Sequence, residues 1–284
     1  MKKVIDSSVL RSEVLREYLS ATQSNIVILP DQLAMEMFKG DGQTNIRRSL
    51  KILSEFPRQI VVLKSTNAIA KLHPQKAGLH RRFASDEQTA GFLKYCRVLY
   101  SDSWSQESAT LDRQRKQFLA NRRFKGLSST VGTIRQAIHT LKSNFSEDEL
   151  KALRRKTIIP GDFWIRFCDD VFDSTLISLK ETFGSIPPKT DIAYSYAFRY
   201  AVCSFGRAID WISEGGLETA PDSKLMNDYT DMAYAAYATF YDGLLAEDKK
   251  LNEIYTFAAR MMRRVFLEAS ARFDASHDQI AHPL

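Results

Sequence analysis

Residues 25–40 read NIVILPDQLAMEMFKG, and this stretch decides the class of fold. Residues 25–29 form a compact apolar, β-branched run, the mark of a buried strand. Pro30 breaks the run and opens a helix, with Asp31 near its positive N-terminal end. Upstream, residues 3–6 are a short apolar run ending on Asp6, and Val9, Leu10, Val14, Leu15, Tyr18 and Leu19 have helical spacing. Downstream, residues 46–56 read as an amphipathic helix and residues 59–63 (QIVVL) as a third strand. Strand, helix, strand, helix, strand predicts a parallel α/β sheet.

The pattern changes after residue 70. From there to about residue 220 no comparable β run occurs, and helices are predicted over 86–100, 106–124, 128–143, 147–156, 162–183 and 191–213. Ser146 and Glu149 have the spacing of a capping box. Gly184 with Pro187 and Pro188, and Gly215 with Gly216, are stop signals. After Asp222 the α/β pattern returns, with a helix at 224–241, a short strand at 243–246 (GLLA) and a closing helix at 252–273. The expected organisation is an α/β domain assembled from 1–70 and 222–274. A helical insertion at 71–221 interrupts it, and a tail follows at 275–284.

Composition narrows the function classes. The 284 residues are 44% hydrophobic and 26% charged, enough to fill a core, which excludes disorder as the main state. No run approaches the roughly 20 uncharged apolar residues of a membrane span, so no membrane partner is expected. The start of the chain carries Lys2, Lys3 and then Asp6, with no apolar signal region. Cys96, Cys168 and Cys203 lie far apart, so neither a metal knuckle nor a disulfide framework is expected, and a reducing cytoplasm is the simplest setting. The net charge is +6, compatible with a solvated surface or with an acidic polymer as partner.

Four carboxylates fall where an open α/β sheet builds its sites, at the carboxyl ends of strands. Asp6 ends the first strand, Asp248 follows the GLLA strand, Glu36 interrupts LAMEMF, and Asp231 interrupts DMAYAAYA. Taken singly, each has a local reading: Asp6 and Asp248 as helix caps, Glu36 and Asp231 as solvent-facing helix charges. Taken together, converging carboxylates make sense around divalent cations, and hard oxygen ligands suit Mg2+ or Mn2+. Asp228 shares a helix face with Asp231 and reads either as an added metal ligand or as a charge favoured by the helix dipole.

In this order the motifs resemble those of the PIN-domain nucleases. VIDSSVL, at Asp6, Ser7 and Ser8, is similar to that family's first motif, and NIVILPDQLAMEMFKG, bearing Glu36, to its second. NDYTDMAYAAYA, bearing Asp231, is similar to the third. DGLLAEDKKL, bearing Asp248, is similar to the fourth, with Ala246 where that family has a hydroxyl. The resemblance spans residues 1–70 and 222–260. It implies a three-layer α/β/α PIN-like domain with a parallel sheet and a hydrolase, namely a divalent-metal-dependent endoribonuclease. Asp6, Glu36, Asp231 and Asp248 would be its catalytic, metal-binding residues. Ser8 would orient Asp6 or a phosphate, a role compatible with capping the next helix. Compact toxins of the family lack a block like 71–221.

No histidine falls in the motifs. His73, His80, His139, His277 and His282 read as packing or surface residues, which favours metal-activated water as nucleophile. No serine nucleophile elbow or glycine-rich phosphate loop is present. Residues 71–125 hold twelve Lys and Arg against five Asp and Glu. Arg113, Arg115, Lys116, Arg122, Arg123 and Lys125 are the candidate nucleic-acid contacts, or else a solvated helix face. RNA ranks ahead of DNA as substrate. The rivals are a flap-type DNA nuclease on the same centre, and a weakly active scaffold binding RNA or protein through its helices. A homo-oligomer or a regulatory protein partner is compatible with the aromatic-rich helices.

Overall fold

The computed structural model describes residues 1–37, 42–101, 135, 138–139, 141–155, 157, 162–215 and 220–278. The chain is mixed α/β. Four parallel strands, β1 (Lys2–Ile5), β2 (Ile26–Leu29), β3 (Ile60–Val62) and β4 (Leu244–Leu245), lie in the order β3-β2-β1-β4. Val4 pairs with Ile28 on one side and Leu244 on the other, and Val27 pairs with Ile60. Parallel pairing demands crossovers. The helices α1 (Glu13–Ala21), α2 (Asp31–Met37) and α3 (Gly42–Glu55) supply the first two. Because all four strands run the same way, Asp6, Asp31 and the segment after Leu245 emerge at one edge of the sheet. The path from β1 turns to β2 on one side, whereas β4 lies on the other. The crevice between β1 and β4 is therefore a topological switch point, the place where such sheets build sites.

Local chemistry explains most element ends. The helix expected over 9–19 starts late, at Glu13, because Asp6 accepts from the Ser8 amide and closes a 3-10 turn, Ser7–Val9, and Ser12 accepts from the Val14 amide to start α1. After β3 come the short helices α4 (Thr66–Ala70) and α5 (Leu79–Phe83), then α6 (Asp86–Leu99), whose cap is Ser85. The capping box forms: the Ser146 amide donates to Glu149 Oε2 at 2.8 Å and the Glu149 amide to Ser146 Oγ at 3.3 Å, opening α7 (Glu147–Arg155). Gly184 and Gly215, at φ 72° and 70°, end α8 (Phe163–Phe183) and α10 (Tyr196–Glu214). The helix expected over 191–213 is broken. A short α9 (Lys189–Ile192) stops, and Ser195 caps α10 through the Phe198 amide at 3.0 Å. Then follow α11 (Asp222–Ala238) and α12 (Lys249–Asp278), the latter running into the stretch expected as a tail. The helix expected over 106–124, most of that over 128–143, and Lys156 lie outside the described residues.

One main core joins both segments of the expected α/β domain to the helical block. Val4, Ile5, Val27 and Ile28 belong to the same buried cluster as Phe167, Val171, Leu179, Phe198, Val202 and Cys203. The helix α10 packs on α8, α11 and α12, and α11 on β1. A smaller cluster, with Leu150, Leu153, Phe163, Trp211 and Leu225, sits under α7. Aromatics of α8, α10 and α12 pack together, with Phe167 edge-on to Phe205 and Phe257. Among the described residues no helix is long and apolar enough to cross a membrane. The cysteines are free.

Candidate active site

Asp6 stands at the carboxyl end of β1, the strand flanked by β2 and β4, and is 7% exposed. Its Oδ1 accepts from the Ser8 amide at 3.2 Å and the Ser8 hydroxyl at 2.7 Å. Ser8 Oγ in turn accepts from the Glu247 amide at 2.8 Å, tying the turn after β1 to the turn after β4. Burial pushes the Asp6 carboxyl up to about 6. The Ser8 hydrogen bonds oppose that rise, and the nearby charges of Glu36 and Asp248 add to it. The carboxylates of three segments distant in sequence thus act on one another at this sheet edge.

Each of the other three acidic residues has its own protein partner. Glu36 Oε2 accepts from the hydroxyl of Tyr234, a fully buried residue of α11, at 3.0 Å. Asp248 Oδ1 accepts from the Leu251 amide at 2.8 Å and so caps α12. Asp231 Oδ2 pairs with Lys250 Nζ at 2.6 Å. Burial raises the Asp231 carboxyl, Lys250 works against that rise, and Asp248 and Asp228 reinforce it. Among the described residues no three His, Cys, Asp or Glu side chains stand close enough together, as placed, to hold an ion. As placed, Asp248 faces the Leu251 amide, Glu36 the Tyr234 hydroxyl and Asp231 the Lys250 ammonium.

Asp228, an added ligand or a helix-start charge in the sequence, is 2% exposed and bound on both oxygens. Oδ2 accepts from Arg207 Nε at 2.7 Å and Trp211 Nε1 at 2.8 Å, and Oδ1 from Lys250 Nζ at 2.5 Å. The structure places it as the anion of a network that joins α10, α11 and α12. Lys250 links that network to Asp231. Burial alone would lower the Lys250 ammonium, but its bonds to Asp228 and Asp231 carry it upward, so it stays charged. The sequence reading missed Lys250, Tyr234 and Arg207. A usable signal for Arg207 was its place in an otherwise apolar helix, where a buried guanidinium needs a partner.

Arg113, Arg115, Lys116, Arg122, Arg123 and Lys125 lie outside the described residues. His80 stacks on Tyr241 with ring centroids 4.6 Å apart, His73 packs against Phe183, and neither lies in the acidic edge.

No known family, curated protein or solved structure matches the chain. The functional reading therefore stands on the residues themselves.

Proposed function

We propose that the chain is a PIN-like, divalent-metal-dependent endonuclease with RNA as its substrate, working at the carboxyl edge of the sheet. The observation that carries this reading is Asp6, a buried carboxyl at the end of a strand at the switch point, raised by burial and by the charges of Glu36 and Asp248. Asp6, Glu36, Asp231 and Asp248 offer only hard oxygen donors, which fits Mg2+ or Mn2+. A divalent ion would also relieve the crowding that raises Asp6. When bound, such an ion supplies an activated water and charge relief on the phosphate.

The chain's own residues do the positioning. Ser8 fixes the Asp6 carboxylate and holds the β1 and β4 turns together. Tyr234 aims Glu36 from the core, because its buried hydroxyl stays protonated and can only be satisfied by an acceptor. Lys250 holds Asp231 in place at the same edge and ties it to the buried Asp228.

One observation favours a second reading, a weakly active scaffold that binds RNA. Lys250 at 2.6 Å already neutralises Asp231, a residue the first reading gives to the metal. Cleavage of mixed single-stranded RNA and DNA oligonucleotides in Mg2+ or Mn2+ decides between them. The expected result is divalent-dependent cutting of RNA that falls about 100-fold or more in both Asp6→Asn and Asp248→Asn, the scale of losing transition-state charge stabilisation. Absence of cutting by the wild type, with salt-sensitive RNA binding kept in both variants, would replace the enzyme by the scaffold.

A further inference from the structure

A cavity of about 300 Å3 opens beside the acidic edge, between the Ser7–Val9 turn and the helices α2 and α3. Ser7, Ser8, Arg11, Asn45 and Ser49 give it a polar wall, and Glu36 stands where it meets the carboxylates. Its volume is at the small end of ligand sites and suits a phosphate with its sugar. Its positive charge comes from Arg11, and Glu36 is the carboxylate in its lining. That guanidinium is clasped by α3: Nε and Nη2 donate to Ser49 Oγ at 3.1 and 3.0 Å, and Nη2 also reaches the Asn45 carbonyl at 3.3 Å and the Asn45 side-chain Oδ1 at 3.5 Å. These bonds fix the fork through Nε and Nη2. Among the described residues, Nη1 donates to no acceptor and no carboxylate lies within ion-pair distance of Arg11. Ser49, 6% exposed, accepts from Arg11 twice and donates to none of the described residues, so its hydroxyl proton is available inside the cavity. A pre-set guanidinium, a buried hydroxyl donor and the Ser7 hydroxyl are an array for oxyanions.

We propose that this cavity is a phosphate subsite, anchored by Arg11, for the nucleic-acid strand that crosses the acidic edge. It rests on the nuclease reading only for its role, which is to set the strand's register against Asp6 and Glu36. The phosphate is either an internal one of the backbone or a terminal 5′ group, and both present the same oxygens.

The test is binding without cutting. A fluorescein-labelled oligouridylate is titrated with the full chain in EDTA over a series of salt concentrations, with either a 5′-hydroxyl or a 5′-phosphate end. Loss of one phosphate contact to a single strand flattens the dependence of log affinity on log salt by about 0.7. Arg11→Gln is expected to do this and to weaken binding about 5-fold to 10-fold at low salt. An effect seen with both probes identifies a backbone phosphate, and an effect confined to the phosphorylated probe a terminal one. Since Arg11 also clasps α3, Asn45→Asp is the companion variant. It strengthens the clasp with an ion pair, keeps the fold, and is expected to weaken binding as much by cancelling the guanidinium charge. An unchanged salt slope in Arg11→Gln, or undiminished binding in Asn45→Asp, overturns the proposal. Wild type that never cuts in Mg2+, yet keeps the Arg11-dependent slope in EDTA, would sink the nuclease reading and leave the subsite standing.

Discussion

Replacing Arg207 with methionine is expected to lower the melting temperature by about 6–9 °C. Asp228 is 2% exposed and Arg207 5%, so their pair is desolvated on both sides. The pair therefore adds little against a well-packed apolar alternative, but breaking it from one side is costly, because a buried carboxylate is left under-compensated. Trp211 and Lys250 remain on Asp228, which puts the cost near the low end for a broken buried pair, about 3 kcal/mol. At roughly 2–3 °C per kcal/mol for a chain of this size, the stated drop follows. Methionine keeps most of the packing on Trp211, over whose ring the guanidinium lies at 4.9 Å. The charge explanation has a consequence that a packing explanation lacks. Adding Asp228→Asn to Arg207→Met removes the stranded charge while keeping an acceptor for Trp211, and should return more than half of the loss. Lys250, about one-third exposed, can then turn to water or to Asp231. Thermal melts of the two single variants and the double variant give the coupling. A double variant no more stable than Arg207→Met alone would show that the network is not held by charge.

That network also shows where sequence stops being informative. The strands were legible because apolar β-branched runs bounded by Pro30 and Asp6 have few other uses. The helix start at Ser146 and the stops at Gly184 and Gly215 are likewise local, since a cap is satisfied by residues three or four positions away. Ser195 has Phe198, not an acid, three positions on, so the break before it does not show in an otherwise continuous helical pattern. Asp6 and Asp248 were legible as strand-end acids, and both local capping and a place at the sheet edge are realised together. The partners were not legible. Lys250 meets Asp228 and Asp231 only because α11 and α12 pack side by side, and Tyr234 meets Glu36 only because the fold brings α11 to the last turn of α2. That residues on both sides of position 71 share one buried cluster was not legible for the same reason. The apolar faces of α8 and α10 state that they are buried, but not that the sheet and its flanking helices are what bury them.

Asp6→Asn is expected to stabilise the metal-free protein at neutral pH even as it abolishes cutting. The folded Asp6 carboxyl titrates at about 6, above the 3.8 of an ordinary aspartate, and burial is the largest cause. A group raised in this way holds its proton more tightly in the folded chain than in the unfolded one. Its stabilising contribution is therefore complete below about pH 4 and is lost as pH rises through about 6. Above that, the folded chain carries a buried carboxylate at a net cost. The shift converts to about 3 kcal/mol if taken whole; allowing for water at the open sheet edge, about 1–2 kcal/mol is the working figure. Asparagine keeps an oxygen for the Ser8 amide and hydroxyl and carries no charge, so it escapes the cost. In EDTA at pH 7.5 the variant should melt about 2–5 °C above the wild type, and the gap should close as the pH is lowered to about 4.5. Other titrating groups are common to both chains and cancel in the difference. Saturating Mg2+ should then raise the wild type and leave Asp6→Asn where it was, since ligand binding to the folded state adds stability in proportion to occupancy. A gap independent of pH would mean that Asp6 is not the strained group, and equal responses of both chains to Mg2+ would remove Asp6 from the metal site. If both trends hold, the same desolvation that destabilises the free protein is what makes this carboxylate ready for a cation, a trade of stability for function at the point where the sheet ends.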